Sequence, residues 1–296
     1  MILRTSIRDI AAAAAAGLSV AALAWLAGRF AEQFEIAIAA GLSTLLVCTL
    51  VMAAYRGVQR HVHDSTTRQL DATAQSYKQA EALVSVLTTI RPSFPFPSTR
   101  DWSASPDLLN HLCAVVMRRR PALVIEAGSG VSTLTIAYCL KRLGTGRVIA
   151  LEHDQEYASK SRAMVQLHNL GGFAQIVHAP LKQFSINGET WLWYDHSALA
   201  GCDPIDLLVI DGPPWTTQRL ARYPALPLLY DRLASDAIVM LDDAARSDER
   251  AVVARWRDEW PGLLCEHLDF EKGACVITRR GAPVLEGAAG CVVESS

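Results

Sequence analysis

Five short apolar runs separated by helical patterns constrain the fold of this 296-residue chain more than any other feature. Near-continuous Val, Ile and Leu of this length is typical of strands buried on both faces of a parallel sheet. The runs are residues 122–126, 147–152, 174–178, 206–211 and 237–242. Segments 132–143, 155–170 and 218–233 lie between them and are long enough for crossover helices. The alternation predicts a parallel sheet with helices on both faces.

Two more apolar runs, at 264–270 and 274–280, follow this unit and are joined by residues 271–273. A connection of three residues is the length of a β-hairpin turn. The whole pattern predicts a Rossmann-like, doubly wound α/β sheet of seven strands, mostly parallel, with an antiparallel C-terminal hairpin.

Apolar residues are also concentrated near the N-terminus, where A, V, I, L, M, F, W, Y and C fill 39 of the first 55 positions. Residues 10–27 and 36–55 contain no charged side chain, and each would be long enough as a helix to cross a bilayer. Arginines flank the pair on its outer sides, at Arg4, Arg8, Arg56, Arg60 and Arg68. The positive-inside rule therefore predicts a two-helix transmembrane hairpin with the N-terminus and the following domain in the cytoplasm.

Two alternatives exist for the N-terminal segments. The first could be a cleavable signal peptide, although a second long apolar segment only eight residues later argues against this interpretation. The two segments could also be buried core helices, but neither has a polar face to meet water.

A polar, helix-favouring stretch follows the apolar segments and ends at three prolines, Pro92, Pro95 and Pro97. Residues 63–87 contain a loose heptad, which favours a helix lying on its own domain or, as the alternative, a homodimer formed by two copies of the helix. The predicted organisation is a transmembrane hairpin at 1–56, a juxtamembrane helix and Pro-rich linker at 57–97, an α/β domain at 98–282 and a tail at 283–296.

The overall charge and the cysteines exclude several classes of function. Twenty-eight basic residues against 30 acidic ones give a net charge of -2, so no global field attracts nucleic acid, and none is expected as a partner. The seven cysteines are scattered and form no C-x-x-C pair, which indicates reduced thiols rather than a zinc site or a disulfide framework.

Ligands of doubly wound sheets bind at the carboxyl ends of the strands, so the residues after each run are the candidates for a site. Glycines 128 and 130 follow the first run and allow a sharp turn into a helix N-terminus. A dinucleotide fingerprint would place a third glycine at position 133, where this chain has Thr133. Glu126 would repel phosphates but accept hydrogen bonds from an amino group, and Glu152 could bind both hydroxyls of a ribose. The pattern favours a nucleoside that bears an amino acid.

Three further carboxylates end the fourth and fifth runs, at Asp211, Asp242 and Asp243. Because these strands are predicted neighbours, the carboxylates would converge and repel one another unless they are protonated, paired or bridged by a cation. Oxygen ligands suit Mg²⁺ or another hard divalent ion. A metal site is one hypothesis. In the alternative, Asp211 caps the following helix and Asp242 or Asp243 pairs with Arg246 or Arg219.

Taken together, the motifs resemble those of class I S-adenosylmethionine-dependent methyltransferases, in particular a bacterial group and the metal-dependent O-methyltransferases. They are E-A-G-S-G-V-S-T at 126–133, the acidic end of the second strand at 151–154, D-G-P-P at 211–214 and D-D-A-A-R at 242–246, within a stretch from Trp102 to Arg280. One departure is Pro214, which stands where catechol-type enzymes have a lysine, and the residues that bind adenine cannot be assigned.

The resemblance implies S-adenosylmethionine as the cofactor and assigns roles to particular residues. Its methionine part would be lined by Glu126, Ala127, Gly128, Ser129, Gly130 and Ser132, and its ribose would be bound by Glu152. Asp211, Asp242 and Asp243 would hold a divalent metal that orients an acceptor hydroxyl, with Asp211 also the candidate catalytic residue. Tyr194 and Trp215 could wall the acceptor pocket, although packing over the sheet edge is the simpler fate for such aromatic residues.

The sequence therefore predicts a methyltransferase anchored in the bacterial inner membrane that transfers a methyl group to an oxygen of a small or glycan-like acceptor. An N-methyltransferase with the same cofactor site is one alternative, and a catalytically inactive membrane scaffold is another. An NAD-dependent oxidoreductase is opposed by Thr133 and Glu126.

Overall fold

The computed structural model of the protein describes residues 7–27, 31–99, 104–202 and 204–280. Several predicted features lie outside these ranges, namely the first six residues, positions 28–30 of the predicted hairpin turn, Trp102 and the tail at 283–296. The chain divides into two compact units, Met1–Ala74 and Gln75–Ser296.

Two helices make up the N-terminal region, α1 at Ile7–Ala27 and α2 at Ala31–Ile90. The sequence analysis divided this region into an apolar segment at 36–55 and a juxtamembrane helix from residue 57, and the structure joins the two in one helix of 60 residues. No proline interrupts it, and its two glycines, at positions 41 and 57, each cost only about 1 kcal/mol, which is too little to end a long helix.

The apolar part of α2 satisfies the length and composition that a membrane span requires. An 18-residue window within Phe34–Ile90 has a mean hydropathy of 2.3, and none of it is buried inside the structure. Among the described residues this is the one helix long and apolar enough to cross a bilayer, while Ala11–Trp25 forms a shorter apolar helix.

The C-terminal unit contains the predicted seven-stranded sheet. Strand order is β3-β2-β1-β6-β7-β9-β8; the first five strands are parallel, and β9 pairs antiparallel with both β7 and β8. Its strands are β1 Leu123–Ala127, β2 Arg147–Glu152, β3 Ala174–His178, β6 Ile205–Ile210, β7 Leu233–Asp242, β8 Leu263–Leu268 and β9 Ala274–Arg279. The order reverses between β1 and β6, which places a ligand-binding crevice at their carboxyl ends.

Helices cover both faces of this sheet, and two hydrophobic clusters result. Alternate residues of each strand point to opposite faces, so Val124 and Val148 belong to one cluster and Ile125 and Ile149 to the other. The helices are α3 Pro106–Arg119, α4 Val131–Leu143, α5 Gln155–Leu167, α6 Ala225–Leu229 and α7 Ser247–Glu259.

The structure differs from the sequence prediction in two places that matter for the site. A two-stranded hairpin, β4 at Leu181–Ile186 and β5 at Glu189–Tyr194, occupies a stretch that had no assigned structure. The crossover helix predicted at 218–233 was wrong, because only the five residues of α6 and a 3-10 turn form there. Pro224 and Pro227 lie in this segment and cannot supply the amide hydrogen bonds of a regular helix.

Candidate functional site

The turn between β1 and α4 opens the carboxyl edge of the sheet. Gly128 has φ +112°, a conformation that favours glycine, and its amide donates to the Leu151 carbonyl on β2 (2.9 Å). A Cβ at Gly130 would meet no atom within 4 Å, so the missing side chain leaves open space above the turn. The Gly130 amide donates to the Thr133 hydroxyl (3.0 Å), which closes the first turn of the helix. The backbone of this turn is therefore accessible to a ligand.

Glu126 lies directly beneath the turn and is fully buried. Its Oε2 accepts a hydrogen bond from the Thr133 hydroxyl (2.5 Å), whereas Oε1 has no partner in the described part of the chain. Burial raises the pKa of Glu126 to about 7; Ser132 and Thr133 oppose this shift, and the charge of Glu152 adds to it. A buried carboxylate oxygen without a donor is costly, and a ligand with a cationic N–H group would satisfy it.

Glu152 ends β2 beside the same turn. The Ser129 hydroxyl donates to its Oε2 (3.0 Å) and the Asp154 amide donates to its Oε1 (3.1 Å). Ser129 also shares a hydrogen bond with Ser161 (2.8 Å), which ties the glycine turn to the middle of α5. The second strand therefore presents an oriented carboxylate to the crevice.

The first strand is tied to the fourth parallel strand through Ala127 and Asp211. The Ala127 carbonyl accepts a hydrogen bond from the Asp211 amide (2.9 Å), and Ser132 is buried at the start of α4. A Cβ placed on Gly128 would lie 3.8 Å from the Cβ of Asp211. The glycine turn and the aspartate at the end of β6 are consequently direct neighbours.

Tyr194, at the end of the β4–β5 hairpin, reaches into this crevice. Its hydroxyl lies so close to Gly212 that a Cβ there would be only 2.2 Å away, and its side chain is almost fully buried. Burial raises the pKa of Tyr194 well above its usual value, and the charges of Glu152 and Asp211 add to this effect. The phenol therefore keeps its proton and brings an O–H group between the two acidic strand ends. Trp215, the other predicted acceptor residue, is 58% exposed.

Asp211, Asp242 and Asp243 converge at the ends of β6 and β7, as the sequence predicted. Each offers a carboxylate oxygen, and these oxygens all lie within 4.8 Å of one another. Burial raises the pKa of Asp242 to about 6, with the charge of Asp243 adding to the shift, and burial together with Asp242 raises the pKa of Asp211 well above its usual range. Asp243 has φ +55°, which aspartate tolerates better than most residues, and this turn directs its carboxylate inward.

Arg222 contacts all three of these residues, two through their carboxylates and Asp242 through its backbone carbonyl. Its Nη2 donates to Asp243 Oδ2 (2.6 Å) and to Asp211 Oδ1 (3.3 Å), and its Nη1 donates to the Asp242 carbonyl (2.7 Å). Arg246 adds a second guanidinium on Asp243 Oδ2 at 2.8 Å. Pairing with Arg246 was the alternative to a metal in the sequence analysis, whereas Arg222 was not foreseen.

The number and type of the three aspartate ligands would suit a hard divalent ion, but their arrangement does not. An ion bound to these oxygens would lie next to a guanidinium that already donates to two of the aspartates. Arginine remains charged at all ordinary pH values, so its positive charge would stay beside the ion. An ion bound to both Asp211 and Asp243 would therefore lie beside the charged Arg222, and the divalent metal stays a prediction.

Several site residues were missed in the sequence or given the wrong emphasis. Thr133 served only to argue against a dinucleotide, yet its hydroxyl bridges Glu126 and the Gly130 amide. Arg222 lies 11 residues beyond Asp211 in a segment predicted as helix, so no local pattern indicated that it turns inward. Nothing in the sequence distinguishes Ser161 from an ordinary residue of a helix, so no pattern indicated that it would contact the glycine turn.

A family model described as a methyltransferase domain matches residues 125–244. The structure is similar to that of the Podospora anserina methyltransferase PaMTH1 with bound SAH, with 16% identity and a TM-score of 0.53 over 71% of this chain and 95% of that one. It is also similar to an O-methyltransferase from Bacillus cereus in complex with SAH, with 15% identity and a TM-score of 0.49 over 70% and 97%. None of the curated proteins matches the sequence.

The family match, together with the strand order of the sheet, shows that the C-terminal unit has the class I methyltransferase fold. At identities this low, the solved structures support the fold alone. Residues 125–244 therefore form a methyltransferase domain.

Proposed function

We propose that this enzyme transfers a methyl group to an oxygen atom of a small or glycan-like acceptor at the inner face of a bacterial membrane. The observation on which the proposal chiefly depends is the unpartnered Oε1 of buried Glu126 beneath an open glycine turn. This oxygen needs a donor, and the ammonium of an amino-acid-bearing nucleoside would supply one.

The cofactor-binding residues follow from the same geometry. When bound, S-adenosylmethionine supplies an activated methyl group on a sulfonium. Glu126 accepts from the ammonium group, the backbone from Ala127 to Gly130 contacts the methionine part, and buried Ser132 begins the helix behind it. Glu152, held by Ser129, accepts from the ribose hydroxyls.

The acceptor lies on the other side of Gly128, where Asp211 borders the glycine turn. A hydroxyl group must lose its proton as it receives a methyl group, and Asp211 is the most accessible of the three aspartates, with a side chain 24% exposed against 6% for Asp243. We assign Asp211 the role of proton acceptor. Tyr194 orients the acceptor through its hydroxyl, and exposed Trp215 offers an aromatic face at the entrance.

Binding of the cofactor separates this function from two alternatives. Titration calorimetry of the full-length protein in detergent should show binding of S-adenosylmethionine and no binding of NAD. Gly128→Ala should abolish cofactor binding because alanine is strained at φ +112°, whereas Gly171→Ala, which has no neighbouring atom within 4 Å, should not. A wild-type protein that binds neither ligand would be the inactive scaffold, and one that binds NAD alone would be an oxidoreductase.

The atom that receives the methyl group distinguishes the remaining alternative. The enzyme would be incubated with S-adenosylmethionine labelled at the methyl carbon with ¹³C and with an extract of cells that produce the protein. The carbon chemical shift of the labelled product separates a methyl group on oxygen from one on nitrogen. A signal from N-methyl alone would contradict the proposed O-methylation.

We further propose that α1 and the apolar part of α2 both cross the membrane, with the catalytic unit in the cytoplasm. The apolar window of α2 is unburied, and arginines follow it at positions 56, 60 and 68. A reporter enzyme that is active only outside the cytoplasm should be inactive when fused after Ser296 and active when inserted after Glu32. The reverse pattern would contradict this topology.

The same helix supports a homodimer through residues 63–87. Leu70, Tyr77 and Val84 recur at intervals of seven residues and are 65%, 67% and 64% exposed, whereas Val86 and Ile90 pack into the catalytic unit from another face of the helix. Tyr77→Cys should form a disulfide-linked dimer on mild oxidation in membranes. Lys78→Cys lies one position away from the line of Leu70, Tyr77 and Val84 and is the matched control. Equal cross-linking of both variants would contradict a dimer formed along this line.

A further inference from the structure

Arg222 is almost completely buried at the acceptor end of the site, and the groups that its guanidinium contacts are carboxylates and backbone carbonyls. Its two Nη atoms donate to Asp211, Asp242 and Asp243, and its Nε lies 3.7 Å from Glu249 Oε1. The guanidinium therefore connects the end of β6, the end of β7 and the first turn of α7.

The chain holds this arginine in place from both sides. Before it, the Leu220 amide donates to Asp248 Oδ2 (3.2 Å) in α7; after it, the Tyr223 carbonyl accepts from Trp256 Nε1 (3.0 Å) in the same helix. Because Pro224 stops a regular helix from starting earlier, Arg222 stays in an irregular segment that faces the strand ends. The position of the guanidinium is thus determined by the fold and does not depend on a surface rotamer.

We propose that Arg222 is the resident cation of the acceptor site and takes the position that a divalent ion has in metal-dependent methyltransferases. The proposal rests on the proposed function only in placing the acceptor at this edge. Arg222 is a positioning residue: it fixes Asp211, which borders the glycine turn, through both its carbonyl (3.1 Å) and its carboxylate (3.3 Å). The enzyme then needs no added metal to assemble its acceptor site.

Arginine and a metal ion exclude each other here for geometric and electrostatic reasons. A magnesium ion requires oxygen ligands at roughly 2.0–2.1 Å in near-octahedral geometry. Asp243 Oδ2 already accepts from two guanidinium groups, at 2.6 Å from Arg222 and 2.8 Å from Arg246. An ion that used this oxygen would have to approach both positive charges in a buried site, where repulsion is poorly screened.

The proposal predicts a gain of metal binding when the arginine is removed. Full-length protein in detergent would be titrated with Mn²⁺, and the free ion would be followed by electron paramagnetic resonance. Wild type should bind no Mn²⁺ at this site. Arg222→Met leaves the aspartates without their cation and should gain one Mn²⁺ site that wild type lacks, because acidic oxygen ligands are those that hard ions prefer.

Two controls keep the experiment decisive. Arg246→Met also removes a partner of Asp243, but Arg222 remains in the centre, so this variant should bind no Mn²⁺. Arg222→Lys retains a positive charge and should likewise bind none. Mn²⁺ binding by wild type that disappears in the Asp242→Asn, Asp243→Asn double variant would overturn the proposal, as would a folded Arg222→Met that binds no Mn²⁺.

If Arg222→Met does not fold, the wild-type titration decides the question alone. Cofactor binding, measured by calorimetry on the same samples, keeps the two proposals separate. Loss of S-adenosylmethionine binding would count against the proposed function, whereas Mn²⁺ binding by wild type would count only against the role of Arg222.

Discussion

The buried carboxylates at the two ends of the crevice differ in whether they have partners. At the cofactor end, Glu126 has one oxygen bound by Thr133 and the other without a partner in the ranges that the structure describes. At the acceptor end, Asp211 and Asp243 are both paired with Arg222. The first end is complete only with a cationic ligand, and the second already contains its own cation.

This difference separates binding from positioning. An unsatisfied buried carboxyl oxygen gives a ligand with an ammonium group a large gain in hydrogen bonding, since folding has already removed that oxygen from water. A paired carboxylate offers a second cation much less. We therefore expect substitutions at the cofactor end to alter affinity and those at the acceptor end to alter stability and geometry.

The largest expected effect is the loss of stability in Arg222→Ala. Removing one partner of a buried ion pair leaves uncompensated charge and typically costs about 3–5 kcal/mol. Thr133→Val at the cofactor end removes one hydrogen bond to Glu126 and should cost only about 1–2 kcal/mol. Urea unfolding of both variants, followed by circular dichroism, measures the contrast. Equal losses would show that the two ends do not differ as described.

The sequence predicted the arrangement of residues around Glu126 better than the arrangement around Arg222, for physical reasons. Gly128, Glu126 and Thr133 lie within eight residues, so one strand and one turn place them together. The apolar runs likewise predicted all seven strands of the main sheet, because burial on both faces requires such runs. These features depend on local pattern, which sequence alone contains.

The acceptor end depends on contacts between distant segments. Arg222 contacts Asp242 and Asp243 across 20 and 21 residues, and the direction of its side chain depends on packing of its segment against α7. No periodicity in the sequence predicts this packing. The β4–β5 hairpin was missed because the pattern ETWLWY at Glu189–Tyr194 resembles an aromatic cluster as much as a strand. Its end nevertheless delivers the Tyr194 hydroxyl to Gly212.

A smaller effect is expected where the hairpin meets the sheet, between the two ends. Gly212→Ala would place a Cβ 2.2 Å from the Tyr194 hydroxyl, and overpacking of this kind typically costs about 1–3 kcal/mol. Tyr194→Phe removes that oxygen and should recover part of the loss, which a double-mutant cycle of unfolding free energies measures. Additive effects of the two substitutions would mean that Tyr194 does not limit the space at Gly212.

The smallest effect is a pH dependence of cofactor affinity that arises at Glu126. Because burial raises the pKa of this carboxyl to about 7 from a usual value of 4.5, the free enzyme holds its proton below neutrality. The ammonium of the cofactor favours the ionised carboxylate, so affinity should rise by at most about tenfold per pH unit up to pH 7 and then level off. Proton release, seen as a buffer-dependent heat of binding, should accompany the titration below pH 7. Glu126→Gln should bind the cofactor weakly, and its affinity should not change with pH. An unchanged pH dependence in this variant would assign the titration to another group, such as Glu152 beside it. The unpartnered carboxylate would then no longer explain how the cofactor is recognised.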